Sequence, residues 1–286
     1  MPVEQAVPTS ESTSVCAGLA MYEAGDGEPL LLMPYPHGFG LAFAEWPLAR
    51  LFQELGWRVV TFDPPGAFRS TRPAQMSMAE MLACTVETLE ALEVSGPVDV
   101  VGHSMGGLCA IALALARPER VKRLVLVGTL SGGPAIRRGR GMPWGNWLTG
   151  LDRWRFMFLG LRLGLGIGNL AVHKRLRGLL WKASYADKRL VPGSEIDVGD
   201  NRRPAPVRDS WPRVALRIDY GQRLGEIRAP TLVCVGRFDP QAPVPCSEEL
   251  ARGIPGARLA IFEQSGHYPF VEEQARFTQI VSHFLA

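Results

Sequence analysis

A serine at the centre of a short glycine motif could do nucleophilic chemistry. The motif GHSMG spans Gly102 to Gly106, follows the apolar run 98–101, and precedes small and apolar residues from 107 onward. This order predicts a strand, a sharp turn and a helix, with Ser104 on strained backbone and glycines where side chains would collide. We predict that Ser104 is a nucleophile and not an ordinary serine at a helix start.

A serine hydroxyl needs a base to take its proton and a group to orient that base. His267, in the sequence SGHYP after the last apolar run, is the best placed of the five histidines. His103 lies beside the serine and is expected to face the wrong way. Asp239, in GRFDP after another apolar run, is the best candidate acid, although aspartate before proline is also common in turns. The chain order Ser104, Asp239, His267 is the order this strand–turn–helix architecture uses.

An oxyanion formed by attack on a carbonyl needs N–H donors. The amide of Met105, at the start of the predicted helix, is one candidate, and the helix dipole adds positive potential there. The second donor is expected in PHGFG, residues 36–40, and the amide of Phe39 is the best candidate. An ordinary glycine turn is the alternative interpretation of that segment.

Short apolar runs alternate with longer helical patterns along the chain, as in a parallel sheet wrapped by helices. The predicted strands are 29–33, 58–62, 98–102, 123–127, 231–235 and 258–262. The predicted helices are 44–55, 78–92, 105–116, 248–253 and 271–284.

The alternation breaks once, where about a hundred residues separate the strand ending near 128 from the one at 231, far beyond an ordinary loop. Within this gap, residues 137–189 contain twelve Lys and Arg but two Asp, a net charge of +10. We therefore predict a flexible lead-in at 1–14, a core formed by 15–130 and 227–286, and an inserted cap at 131–226.

Composition excludes several classes of protein. The 286 residues carry 31 Lys and Arg against 28 Asp and Glu, a net charge of +3 that indicates no polyanion binder. With 47% apolar residues the chain has material for a packed core. Five widely spaced cysteines fit neither a disulfide framework nor a zinc site, so we expect no metal and a cytoplasmic, reducing environment. No targeting signal is visible, and the apolar stretch 154–172 is a poor membrane helix.

Together, GHSMG, the turn at His37, GRFDP and SGHYP resemble the α/β-hydrolase fold superfamily, over about 25–285. The resemblance implies a mostly parallel sheet flanked by helices, a helical cap inserted after the sixth strand, and hydrolysis through an acyl-enzyme. It implies that Ser104 attacks, His267 carries the proton and Asp239 holds the imidazolium. No organic cofactor is expected, and no phosphate-binding glycine loop is present.

The segment 63–70, DPPGAFRS, departs from the glycine-x-glycine-x-serine found in many relatives, because Phe68 replaces the second glycine. Phe68 is expected to reshape the pocket entrance. Together with His103, Trp144 and Trp181 it forms our set of candidate substrate contacts, although aromatic residues at helical spacing often form subdomain core instead.

The same machinery serves ester, thioester, lactone, amide and activated carbon–carbon bonds. We predict hydrolysis of an ester-type bond in a small apolar substrate. The alternatives are an aminopeptidase similar to the proline iminopeptidases, which would use acids such as Glu195, Asp197 and Asp200, and a ligand sensor without turnover. The basic cap could attract an anionic substrate or lipid headgroups, or be a solvated arginine face. No nucleic-acid partner is expected because no nucleic-acid fold surrounds the basic residues, and the oligomeric state is not predicted.

Overall fold

One eight-stranded sheet forms the centre of this computed structural model, which describes residues 12–36, 46–73, 77–138, 148, 150–165, 167, 170–191, 214 and 217–286. The strands are β1 Ser12–Cys16, β2 Leu19–Ala24, β3 Pro29–Met33, β4 Arg58–Phe62, β5 Val98–His103, β6 Val121–Val127, β7 Thr231–Gly236 and β8 Arg258–Phe262. Their order across the sheet is β1-β2-β4-β3-β5-β6-β7-β8. The pairs β1–β2 and β2–β4 are antiparallel, and every other neighbouring pair is parallel.

Helices follow most of the strands. They are α1 Pro47–Glu54, α2 Met78–Ala91, α3 Met105–Ala116, α4 Gly133–Arg138, α5 Gly150–Gly164, α6 Leu170–Ser184, α7 Val244–Gly253, α8 Pro269–Glu272 and α9 Gln274–Leu285. Helix α7 starts earlier than predicted, with a proline in its first turn where the missing N–H costs nothing. The predicted C-terminal helix is two helices, because Glu273 at φ −128° interrupts it.

All six predicted strands are confirmed, but the N-terminal hairpin was missed. Strands β1 and β2 are joined by Ala17 and Gly18, both at positive φ (45° and 77°). Two such residues form the turn that suits a two-residue hairpin. The predicted lead-in is therefore too long, because Ser12–Ser14 lie in β1 and pair with β2.

The sheet is buried on both faces, so alternate side chains of one strand pack into two different hydrophobic cores. In β3, Leu31 and Met33 join the core that includes side chains of α2 and α3. Leu30 and Leu32 join the core that includes side chains of α1 and α9. This explains why the parallel strands read as continuous apolar runs, and it makes the sheet a rigid platform for the loops at the carboxyl ends of its strands.

The chain between β6 and β7 contains α4, α5 and α6, and we call residues 131–226 the inserted segment. Its two ends are hydrogen-bonded to each other. The amide of Gly133 donates to Ile218 O at 2.9 Å, and the amide of Tyr220 donates to Ser131 O at 2.8 Å. The segment therefore leaves and rejoins the core at one point, beyond the carboxyl end of β6.

Candidate active site

The predicted nucleophile lies on strained backbone between β5 and α3. Ser104 has φ 52° and ψ −123°, which costs a non-glycine residue about 1–3 kcal/mol. Its N–H donates to Val127 O at 2.9 Å, and its carbonyl accepts from Thr129 Oγ1 at 2.7 Å. The end of β6 thus holds Ser104 from both sides of its peptide and stabilises the strained turn.

Three glycines make this turn sterically possible. A Cβ on Gly102 would lie 2.7 Å from Cα of Gly107, and one on Gly106 would lie 2.6 Å from Met33 O. A Cβ on Gly107 would lie 2.4 Å from Thr129 Oγ1. The motif therefore needs a third glycine, directly after the two that the GHSMG pattern indicates.

The predicted base and acid are buried and hydrogen-bonded to each other. His267 Nδ1 lies 2.8 Å from Asp239 Oδ2, and the two residues are 2% and 3% exposed. Asp239 Oδ1 accepts the amides of Gln241 at 2.8 Å and Ala242 at 3.0 Å. With N–H donors on both oxygens, the carboxylate acts as an acceptor, so Nδ1 carries the proton and Nε2 presents its lone pair.

Gly128, the residue after β6, is where the predicted residues come together. A Cβ on Gly128 would lie 3.1 Å from both Asp239 Oδ2 and His267 Nδ1. One residue earlier, Val127 accepts the amide of Ser104. The carboxyl ends of β5, β6, β7 and β8 thus bring Ser104, Asp239 and His267 to one rim of the sheet. Their joint catalytic role remains a proposal that rests on this convergence.

His103 supports the backbone of His267. It is fully buried, its Nε2 lies 2.9 Å from His267 O, and its Nδ1 is hydrogen-bonded to the Tyr35 phenol. A carbonyl only accepts, so Nε2 carries hydrogen and Nδ1 accepts from Tyr35. Burial, with His267 beside it, holds the pKa of His103 well below its usual range. Both ring nitrogens are occupied within the protein, so the prediction that His103 contacts substrate is wrong.

The end of α6 is in direct contact with the loop that carries His267. The amide of His267 donates to the carbonyl of Ser184 at 2.7 Å, and a Cβ on Gly266 would lie 2.1 Å from that same oxygen. The ring of Tyr268 stacks on Tyr185 with centroids 4.6 Å apart. The backbone of His267 is therefore held by the inserted segment at its N–H and by His103, at the end of β5, at its carbonyl.

Glu272 joins the same two parts of the chain and was not predicted from the sequence as a site residue. Its Oε1 accepts the amides of Ala186 at 2.6 Å and Asp187 at 3.1 Å, and its Oε2 accepts the amide of Gly266 at 2.7 Å. Burial raises the pKa of Glu272. The one sequence signal for this residue is its position five residues after His267, in a short helix that begins at a proline.

The loop containing Phe68 keeps a glycine-like conformation without a glycine. Phe68 has φ 47° and is partly exposed. The buried carboxylate of Asp63 organises the loop, since its Oδ2 accepts from Tyr22 Oη at 2.5 Å and from the Arg69 amide at 3.0 Å. Ser70 Oγ donates to Asp63 O at 2.6 Å. Burial raises the pKa of Asp63 to about 6. These bonds fix the strained backbone at Phe68, whose substrate contact stays a prediction.

The remaining predicted site residues fall into two groups. Met105 is the first residue of α3, with its amide at the helix N-terminus. Trp181, on α6, is partly exposed and hydrogen-bonds the Tyr268 phenol, next to His267. The others lie outside the described residues: His37, Phe39, Trp144, Glu195, Asp197 and Asp200.

Comparison with known proteins identifies the family. Residues 32–274 match the alpha/beta hydrolase fold family. The chain belongs to this family. This α/β-hydrolase is 33% identical over 273 residues to the 2-hydroxymuconate semialdehyde hydrolase of Pseudomonas putida, covering 93% of this chain and 90% of that protein. It is also 33% identical over 235 residues to a 2-hydroxy-6-oxononadienedioate/2-hydroxy-6-oxononatrienedioate hydrolase of Cupriavidus pinatubonensis, covering 80% and 76%.

Solved structures share the fold of this α/β-hydrolase. An alpha/beta fold family hydrolase from Bacillus anthracis superposes with a TM-score of 0.76 at 22% identity, covering 96% of this chain and 99% of that one. A meta-cleavage product hydrolase from Pseudomonas fluorescens gives 0.72 at 23% identity, covering 96% and 97%. The family match and the relatives make the chain a hydrolase.

Two further observations concern metals and membranes. Within the described ranges, no group of three or more His, Cys, Asp or Glu side chains could hold a metal ion. Among the helices described above, none is both long enough and apolar enough to span a bilayer.

Proposed function

We propose that this α/β-hydrolase cleaves a carbon–carbon bond in a small 2-hydroxy-6-oxo-dienoic acid. Ser104 is the nucleophile, His267 the base and Asp239 the group that orients the base. The observation that carries the catalytic part is the buried bond between His267 Nδ1 and Asp239 Oδ2 at the rim that holds Ser104.

The relatives support the choice of substrate. Their names describe compounds that contain no ester or amide bond, so hydrolysis of such compounds has to break a carbon–carbon bond. Such a substrate is also an anion at neutral pH. The net charge of +10 over residues 137–189 would attract it toward the inserted segment, which contacts the His267 loop.

Cleavage between carbons 5 and 6 of such a compound leaves an electron pair on carbon 5. That pair is stabilised only if carbon 2 is a conjugated ketone, so a proton must first move from the 2-hydroxyl group to carbon 5. In the neutral imidazole of His267 the bond to Asp239 places the proton on Nδ1, so the lone pair of Nε2 is suited to carry this proton. Asp239 then stabilises the imidazolium that forms.

Acyl transfer follows from the same geometry. Ser104 Oγ attacks carbon 6 as His267 takes its proton, and the amide of Met105 donates to the resulting oxyanion. We propose the amide of Phe39 as the second donor. The bond between carbons 5 and 6 then breaks, its electron pair moves to the oxygen on carbon 2, and that oxygen takes the proton from the His267 imidazolium. Water releases the acyl group, so one substrate and one water give a carboxylic acid and a shorter 2-hydroxydienoate.

Substrate competition tests the proposal. We expect kcat/KM for 2-hydroxymuconate semialdehyde, followed by loss of its dienolate absorbance, to exceed that for any p-nitrophenyl ester of graded acyl length or amino-acid arylamide. Ser104→Ala should abolish turnover, and His267→Ala should lower it by several powers of ten, with both variants folded.

Three results would contradict the proposal. Rapid ester hydrolysis with an inert dienoate would establish the ester chemistry predicted from the sequence, and arylamide cleavage would favour the aminopeptidase alternative. Failure of a fluorophosphonate probe to label Ser104 in folded protein, with no turnover of any substrate, would favour the ligand sensor.

A further inference from the structure

Helix α5 carries a second apolar face that points away from the protein. Seven of the ten large apolar side chains that are exposed among the described residues fall between 151 and 167, with exposures of 48 to 72%. They are Leu151, Trp154, Met157, Phe158, Leu161, Leu165 and Ile167. We call the six of these that lie within 151–165 the α5 outer face; Leu165 directly follows the helix and continues its last turn through the hydrogen bond from its amide to Leu161 O.

The spacing of these residues makes the outer face continuous. Leu151, Trp154, Phe158, Leu161 and Leu165 follow one another at intervals of three and four residues, which places them in one stripe along a helix. Phe156 and Leu159, at 3% and 7% exposure, occupy the opposite side, and α5 packs against α6. The stripe is therefore additional to the face by which α5 joins the fold.

Arginines lie along both edges of the outer face. On a helical projection, Arg155 and Arg162 lie along one edge and Arg153 along the other. The two carboxylates within residues 137–189 are already paired. Asp152 pairs with Lys182 at 2.6 Å and with Arg155 at 3.3 Å, and Asp187 pairs with Arg189 at 2.7 Å. Neither of these carboxylates is left to neutralise arginines of a second copy, so self-association through this face would bring like charges together.

We propose that the α5 outer face binds the surface of an anionic lipid bilayer. Apolar and aromatic side chains on one face, with arginines at its edges, suit a helix that lies in the membrane interface. The apolar stripe enters the acyl boundary while the long arginine side chains reach the lipid phosphates. The binding needs no catalytic residue and is independent of the function proposed above.

Vesicle co-sedimentation tests this proposal. We expect the full-length protein to bind phosphatidylglycerol-containing phosphatidylcholine vesicles at least tenfold more tightly than pure phosphatidylcholine vesicles, and less tightly at high salt. The double variant Trp154→Ser/Phe158→Ser should lose at least tenfold of this binding. The matched control Val15→Ser, an equally exposed apolar residue on β1, should bind like the wild type.

Measurements of folding distinguish a loss of membrane binding from a loss of structure. Circular dichroism and the unfolding midpoint check that the double variant is folded, and if it is not, the triple variant Arg153→Gln/Arg155→Gln/Arg162→Gln replaces it. Failure to bind either vesicle, equal binding to both, or full binding by the folded variants would overturn the proposal. A dimer seen in sedimentation velocity and abolished by the double variant would also overturn it, because a second copy of the protein would then cover the α5 outer face.

Discussion

The loops at the carboxyl rim of the sheet and helix α5 are stabilised in opposite ways. At the rim, polar atoms find their partners inside the protein: Asp239 accepts two amides and an imidazole, and Asp63 accepts a phenol and an amide. On α5, large apolar side chains face outward with arginines beside them. The polar groups of the rim find their partners within the chain, whereas the exposed side of α5 leaves apolar area for an external partner to cover.

The rim therefore fixes the geometry of the candidate catalytic residues, and the exposed side of α5 is available for a contact with another molecule. Backbone strain at Ser104 and Phe68 persists only where surrounding bonds over-determine it, and both residues lie in rim loops. The inserted segment, which contains α5, meets the rim where α6 ends, at the hydrogen bond between Ser184 and His267. The inserted segment can therefore influence the base through one short stretch of backbone.

The sharpest test of this contrast compares two phenylalanines on one helix. Phe156 is 3% exposed and Phe158 is 61% exposed. Phe156→Ala should lower the free energy of unfolding by about 3–5 kcal/mol because it opens a cavity. Phe158→Ala should change it by less than about 0.5 kcal/mol. Urea denaturation and hydrogen exchange of the α5 amides measure both. An equally large loss from Phe158→Ala would mean that the chain itself covers the outer face.

A second test concerns the buried carboxylate of the rim loop after β4. The folded pKa of Asp63, about 6, lies above its ordinary 3.8. Its contribution to stability is therefore fully present below about pH 4 and is lost as the pH rises through about 6. The shift of about two units corresponds to a loss of up to about 3 kcal/mol.

Asp63→Asn should remove this pH dependence, because the amide does not ionise. Urea denaturation of both proteins from about pH 4 to pH 8 should show the wild type losing stability relative to the variant as the pH rises. Parallel stability curves would show that Asp63 has the same pKa in the folded and unfolded chains.

Much of the rim could be predicted from sequence because it depends on residue types and on their order along the chain. Glycines that exclude Cβ atoms, strands that end at a loop, and the order of Ser104, Asp239 and His267 are all readable from the residues. The β1–β2 hairpin was missed because Ala17-Gly18 is not a common hairpin pair. His103 was misassigned because its partners, the Tyr35 phenol and the His267 carbonyl, are distant along the chain.

The inserted segment shows a different limit of prediction from sequence. Its composition identified it, but α5 is apolar on two sides, so periodicity alone cannot tell which side faces the protein. Glu272 was missed because its partners are backbone amides, and an amide has no sequence signature. Both gaps concern contacts between the inserted segment and its surroundings.

The smallest expected effect tests the link between the two regions. Glu272→Gln replaces one acceptor oxygen with an NH2 group, so either the amide of Gly266 or the two amides of Ala186 and Asp187 lose their partner. We expect kcat to fall about tenfold, or about 1.4 kcal/mol in activation free energy, with KM unchanged, because the loop that positions His267 loosens. Steady-state kinetics on the preferred substrate measures this.

A residue that positions His267 should affect the rate only when His267 is present, whereas a residue that supports the fold in general should affect the rate in either case. In the His267→Ala background, Glu272→Gln should cause no further loss of the residual rate, because a residue that acts through the imidazole has nothing left to position. Glu263→Gln, an exposed carboxylate paired with Arg237, is the control and should behave like the wild type. Equal losses in both backgrounds would show that Glu272 supports the fold in general and does not position the base.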